Sequence, residues 1–346
     1  MPHDDTHHSP SGFPPRDYWL PLLPMLPLLL AIVLLAPLIE PGAQLKFLRE
    51  GVTFIDEPLR SYVHLGDMLS YHALAAFHSL LCLGVVATFA LWIFRLPGAR
   101  RQGALIFLAV VLALIVALGL YLKAAANEVI LVQLGYKAVC QLLDAAALPT
   151  QLVPAGQCFS AGISHLTWLA WVPTFSGIGA TAFAGAFAYG SMRGLPPRGS
   201  ADDEAAWRAA LDARVQALQK AVYLLSAVLV SSTVTITLFA HLPVGLLPAG
   251  SGSLAAAVSK YATGLSTFWG ALFSITLVAT FAMPALRLLG AAYGRESKAR
   301  DSDDLRDWLQ EHVFQSLRRQ LATVFSLLAP LLVGPLSSLL ASVSGI

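Results

Sequence analysis

At 346 residues, with 56% hydrophobic and 12% charged side chains and a formal net charge of +2, the chain carries about half the charge of an ordinary soluble domain. A mean hydropathy of +0.67 points the same way. This composition excludes a soluble enzyme, a disordered chain and a secreted disulfide scaffold, and the near-neutral charge gives no reason to expect nucleic acid as a partner.

The expected fold is all-α: a polytopic integral membrane helical bundle of six transmembrane helices, a C-terminal hydrophobic segment and cytosolic helical extensions. Residues 1–18 read as a flexible cytosolic N-terminal tail. Six uncharged runs follow, each near the about 20 residues that a bilayer demands: Trp19–Ile39, His72–Phe94, Gly103–Leu122, Ile163–Tyr189, Ala221–His241 and Ala262–Leu288. The first run is too long for the apolar core of a signal peptide, and no small-residue cleavage site precedes Glu40-Pro41-Gly42, so a retained anchor is expected. The transmembrane domain is thus 19–290, with outer loops over 40–71 and 124–162 and a cytosolic helix over 201–220.

Orientation follows from the basic residues, which resist export. With the N-terminus inside, Arg16, the connection Arg95–Arg101, the region Arg193–Lys220 and the stretch Arg287–Arg319 hold sixteen of the 22 on the cytosolic side. Lys46, Arg49, Arg60, Lys123, Lys137 and Lys260 fall outside. The expected location is a bacterial inner membrane with the N-terminus cytoplasmic. Cys140 and Cys158 then share one exported loop, where an oxidising space favours a disulfide between them around Pro149–Pro154. Trp92 comes out near the inner interface, and Trp168 and Trp171 near the outer one, the depth that indoles prefer.

Inside, Ser200 and Asp203 form a capping pattern ahead of Trp207, Leu211, Val215, Leu218 and Val222, which recur at steps of three and four. No breaker separates this stripe from the fifth run, so one long helix is expected to pass from cytosol into membrane. Residues 291–346 hold a second amphipathic helix from about Ser302, with Leu305, Trp308, Leu309, Val313, Leu317, Leu321, Val324 and Leu328 on its stripe, and an uncharged segment after Arg319. The two stripes are expected to pack together or against a neighbouring subunit, with the membrane surface as the alternative. Pro330 and Gly334-Pro335 break the last segment, which reads as a broken seventh span, a re-entrant hairpin or the apolar core of a cytosolic assembly.

The span centres lack Asp, Glu, Lys and Arg, which argues against ion-coupled transport and voltage sensing. No P-loop, nucleophile elbow or zincin motif occurs, and no catalytic set is assigned, which leans away from an enzyme. In the fourth span Gly177, Thr181 and Gly185 recur every four residues, the small-residue pattern of close helix packing. In the sixth, Thr263, Ser266, Thr267, Gly270 and Ser274 share one face that Leu277 and Phe281 continue inward. This face reads as the lining of a pore, with Leu277 and Phe281 as a gate closed by dewetting, or as a packing face. His72, His165 and His241 lie near one interface, with His78 about two turns deeper than His72. Imidazoles from different helices at one depth suit haem or a transition metal, although hydrogen bonding at the lipid boundary is the commoner role of such histidines.

The leading expectation is a homo-oligomeric membrane channel or pore-forming effector gated through the cytosolic helices, with the lipid bilayer, further copies of itself and a cytosolic regulatory partner or ligand as its partners and no resident cofactor. The alternatives are a membrane-embedded metal- or haem-binding redox protein using the outer histidines, and a non-catalytic scaffold subunit of an envelope complex.

Overall fold

The structure, a computed structural model, describes residues 23, 26–27, 59–124, 165–193, 204–247, 252–296 and 322–333. Among them every regular element is helical: α1 (Leu59–Phe94), α2 (Gly98–Ala124), α3 (His165–Met192), α4 (Glu204–His241), a 3-10 turn at Val244–Leu246, α5 (Gly252–Glu296) and α6 (Ala322–Val333). Four segments are long and apolar enough to cross a bilayer: Leu65–Phe94, Gly98–Ala117, Ala209–Leu246 and Ala255–Leu288. Trp19–Ile39, the loop 124–162 apart from the first residue, and the stripe 305–317 lie outside the described residues.

Proline punctuates the first hairpin. Pro97 disfavours helix at the residue before it, so α1 stops at Phe94. Its carbonyl then accepts the amides of Arg100 and Arg101 at 2.9 Å each, capping the start of α2. The two helices lean on α3 more than on each other. α3 touches α1, α2, α4 and α5, which makes it the axis of the bundle. Its sequence suits that place: Ala180, Ala182, Ala184, Ala186 and Ala188 are all buried, and small side chains let four neighbours approach at once. At Gly190 a Cβ would lie 2.7 Å from Leu96, 3.0 Å from Ala104 and 3.2 Å from the Arg100 carbonyl oxygen, so this crossing requires glycine.

The end of α3 is closed by cations. Arg100 Nε donates to the Gly190 carbonyl and Arg214 Nη1 to the Arg193 carbonyl, each at 3.3 Å. These carbonyls belong to the last turn, where no amide further along the helix reaches them and positive charge is favoured. The Arg193 guanidinium carbon sits 5.3 Å from the centre of the Tyr189 ring.

α4 is unbroken over 38 residues, about 57 Å at 1.5 Å per residue and far more than the about 30 Å of a bilayer core. The helix is therefore longer than a single crossing requires. Trp207, Leu211, Leu218 and Val222 are buried in the chain's own main core, so this stripe packs within the protomer.

α1 and α5 begin well before their neutral runs. α1 starts thirteen residues before His72 and α5 ten before Ala262. Arg60, Asp67 and Lys260 interrupt the neutral runs but not the helical period. Met68 and Tyr71 pack with Phe239, Leu242 and Leu246 in a second core at this end of the bundle. Around the outside, Phe77, Leu80, Leu83 and Leu91 of α1 and Ile106, Val110 and Val116 of α2 are exposed, an apolar surface that suits a lipid environment.

Candidate functional site

Two features inside the apolar layer carry polar chemistry: a cluster around His78, and the seat of α6 against α4 and α5.

His78 is 1% exposed, although it lies midway along a membrane-length helix. Its Nδ1 is 2.7 Å from Ser231 Oγ of α4. Ser231 Oγ also hydrogen-bonds the Val228 carbonyl at 2.8 Å, so one hydroxyl ties the imidazole to α4. Nε2 is 3.4 Å from Cys82 Sγ, which lies one helical turn further along α1. From α3, the Pro173 carbonyl reaches the same ring, and a Cβ on Gly177 would touch Nε2 at 3.4 Å. One imidazole thus joins three helices, with glycine opposite it where a larger residue would crowd the ring. Chemically this is a neutral hydrogen-bonding clasp. It presents one nitrogen and one thiol, and among the described residues no three His, Cys, Asp or Glu side chains converge as metal ligands.

The histidines named from sequence behave differently. His72 Nδ1 is held by the Met68 carbonyl and His241 Nδ1 by the Thr237 carbonyl at 2.8 Å, each one turn back on its own helix. His165 opens α3, and its side chain lies outside the described residues, as do Cys140 and Cys158. Cys82 is a free, buried thiol.

Most hydroxyls in the bundle bond back to their own helix, which is how Ser and Thr survive without water. Thr233, Thr235 and Thr237 of α4 donate to carbonyls four residues earlier at 2.8–2.9 Å, and Ser266, Thr267, Thr276 and Thr280 of α5 do so at 2.7–2.9 Å. Ser226 is different: it donates across to the Ser326 carbonyl of α6 at 2.6 Å. One turn away, Tyr223 Oη and Thr323 Oγ1 are 3.1 Å apart.

The face of α5 expected to line a pore is covered within the chain. Ser266, Gly270 and Ser274 are buried, while Thr263 and Thr267 are half-buried. Leu277 and Phe281 belong to the main core. Gly270 faces the backbone of α6: a Cβ there would overlap the Pro330 carbonyl oxygen and lie 3.0 Å from its carbon and 3.1 Å from Leu331 Cα. Ser274 Oγ is buried with no hydrogen-bond partner among the described residues. In α3, Gly177 lies against His78, a Cβ on Gly185 would lie 3.2 Å from Phe107 and 3.6 Å from Thr280, and Thr181 bonds back to the Gly177 carbonyl at 3.0 Å.

From sequence His78 stands out only by its depth relative to His72, and Cys82 falls four residues after it. Their spacing of four placed them on one face of α1 and was the available signal. Ser231 and Gly177 depend on how three helices are rotated against each other, which no local pattern encodes. Comparison with protein-family models, curated proteins and solved structures finds no match to this chain.

Proposed function

We propose that the chain is a six-span protein of the bacterial inner membrane, with its N-terminus in the cytoplasm, acting as a homo-oligomeric channel gated through its cytosolic helices. In this reading Trp19–Ile39 and α3 complete the six spans, and α6 is a re-entrant element that closes the hydroxyl face of α5. The observation that carries it is the contact of α6 with Gly270: helix backbone against helix backbone, on the face where Ser266 and Ser274 lie. That face holds oxygen atoms and no charge, so it tolerates a dry closed state and offers partners to water once uncovered. The amphipathic stretch from Ser302 leads directly into α6, so force on a cytosolic helix reaches the gate through a short connection.

The test is conductance of purified protein in planar bilayers. Cysteines replacing Ser226 and Ser326, in a background without native thiols, are bridged by a short cleavable bis-thiol reagent to hold α6 in place. The bridged protein should be silent, and cleavage should restore current. Silence in both states across voltage and candidate ligands removes the channel reading and leaves the scaffold subunit.

A further inference from the structure

Where α1 leaves the apolar layer, a groove of about 430 Å³ lies between its last turn and α4. The volume falls within the about 300–1,000 Å³ typical of small-molecule sites. Trp92 of α1, Arg95 and Leu96 just beyond its end, and Gln216 and Lys220 at helical spacing on α4 line it. Phe187 of α3 forms the apolar floor and packs on Trp92 with ring centres 5.1 Å apart. The side chains of Arg95 and Lys220 are exposed, and neither pairs with another described residue. No carboxylate is among the described residues lining the groove. The surrounding cations are engaged otherwise, Arg100 and Arg214 on the carbonyls that close α3.

We propose that this groove binds the headgroup of an anionic phospholipid from the adjoining leaflet. The assignment rests on charge complementarity at a fixed depth. Arg95 directly follows the apolar stretch Leu65–Phe94, and Lys220 immediately precedes the uncharged run of α4, so both cations stand at headgroup level. A guanidinium offers a planar fork to phosphate oxygens, an ammonium adds a point charge, and the Gln216 amide adds a neutral donor. The Trp92 indole prefers the interface, and the Phe187 floor accepts the first methylenes of an acyl chain. A soluble phosphate gains nothing from that floor, which favours the lipid source. The inference stands apart from the channel proposal, because it needs only a helical membrane protein with this groove.

A second groove, of about 580 Å³, serves as the internal control. It is lined by α2 alone, from Gly98 to Ala109, with Arg101 as its one cation among the described residues.

The full chain in nanodiscs is titrated with phosphatidylglycerol against phosphatidylcholine, and lipid retention is read by native mass spectrometry. Each Lys or Arg at a headgroup surface contributes about 1 kcal/mol, so Arg95→Ala with Lys220→Ala should weaken phosphatidylglycerol retention by about 30-fold and leave phosphatidylcholine unchanged. Arg101→Ala should retain the lipid as wild type does. The charge-keeping pair Arg95→Lys with Lys220→Arg should recover most of the loss, separating binding from misfolding. In the wild-type protein, a photoactivatable phosphatidylglycerol should label residues 89–97 and 213–221. Labelling elsewhere, or an equal loss in Arg101→Ala, overturns the site. Competition by millimolar glycerol phosphate equal to that of the lipid overturns the lipid assignment.

Discussion

Gly270→Ala is the smallest perturbation of the α5–α6 contact. The added methyl would overlap the Pro330 carbonyl oxygen and press on the Pro330 carbon at 3.0 Å and Leu331 Cα at 3.1 Å. These are backbone atoms of a helix, so no rotamer change relieves the clash and α6 must move as a body. Overpacking of this kind costs about 1–3 kcal/mol. The polar links broken on release, Ser226 to Ser326 and Tyr223 to Thr323, contribute about 0.6 kcal/mol each by the average for hydrogen bonds between membrane helices. The clash therefore exceeds what those bonds supply, and a bias of about 2 kcal/mol toward the displaced state is about 30-fold in population. Gly264 provides the control: it lies in the same helix with nothing within 4 Å, so Gly264→Ala should be neutral or stabilising by up to about 1 kcal/mol. Spin labels at Val324 and Val278, both exposed, report the separation of α6 from α5 by pulsed electron resonance. Gly270→Ala should lengthen and broaden the distance distribution and lower the thermal midpoint, whereas Gly264→Ala should do neither. An unchanged narrow distribution with a wild-type midpoint in Gly270→Ala would falsify the docking geometry.

Two further outcomes follow from the buried polar cluster and the thiols. A double-mutant cycle of His78→Phe and Ser231→Ala, read by reversible unfolding in detergent, should give a coupling of about 0.6–1.7 kcal/mol, with Ser231→Ala alone destabilising because it leaves a buried imidazole nitrogen without its partner; zero coupling removes the clasp. Maleimide should leave the folded, unreduced protein unlabelled, because Cys82 is fully buried. Denaturation without reductant should expose that single thiol and reduction all three, whereas three labels before reduction exclude a Cys140–Cys158 disulfide.

Much of the bundle was legible in composition. The neutral runs at His72–Phe94, Gly103–Leu122, Ala221–His241 and Ala262–Leu288 fall within α1, α2, α4 and α5, because a helix in lipid must shed charge as well as hold length. The helix starts were less legible. A search for neutral runs stops at Asp67 or Lys260, but the backbone does not, since one charge per turn still leaves an apolar stripe such as Met68 and Tyr71 to bury. The sites were less legible still. Period alone placed Gly270 beside Ser266 and Ser274, but its partner, Pro330, lies sixty residues on. Which face of one helix meets which face of another is settled by side-chain fit over the whole bundle. Small residues permit close approach; they do not name the neighbour.

Ser226 gives the α6 contact its particular character. Where Thr233, Thr235 and Thr237 spend their protons on their own helix, Ser226 spends its proton on α6. If α6 withdraws, the Ser226 hydroxyl needs only a rotation about one bond to reach the Val222 carbonyl, the same back-bond its neighbours on α4 make. Tyr223, one turn nearer the boundary, can turn its hydroxyl to water. Release of α6 therefore strands little polar hydrogen-bonding capacity on α4, and the docked state is held chiefly by close packing at Gly270. An interface held by shape rather than by polar groups has two accessible states separated by a small free energy, which is what a gate requires. It is also why one methyl group at position 270 should do what removal of either hydrogen bond would not.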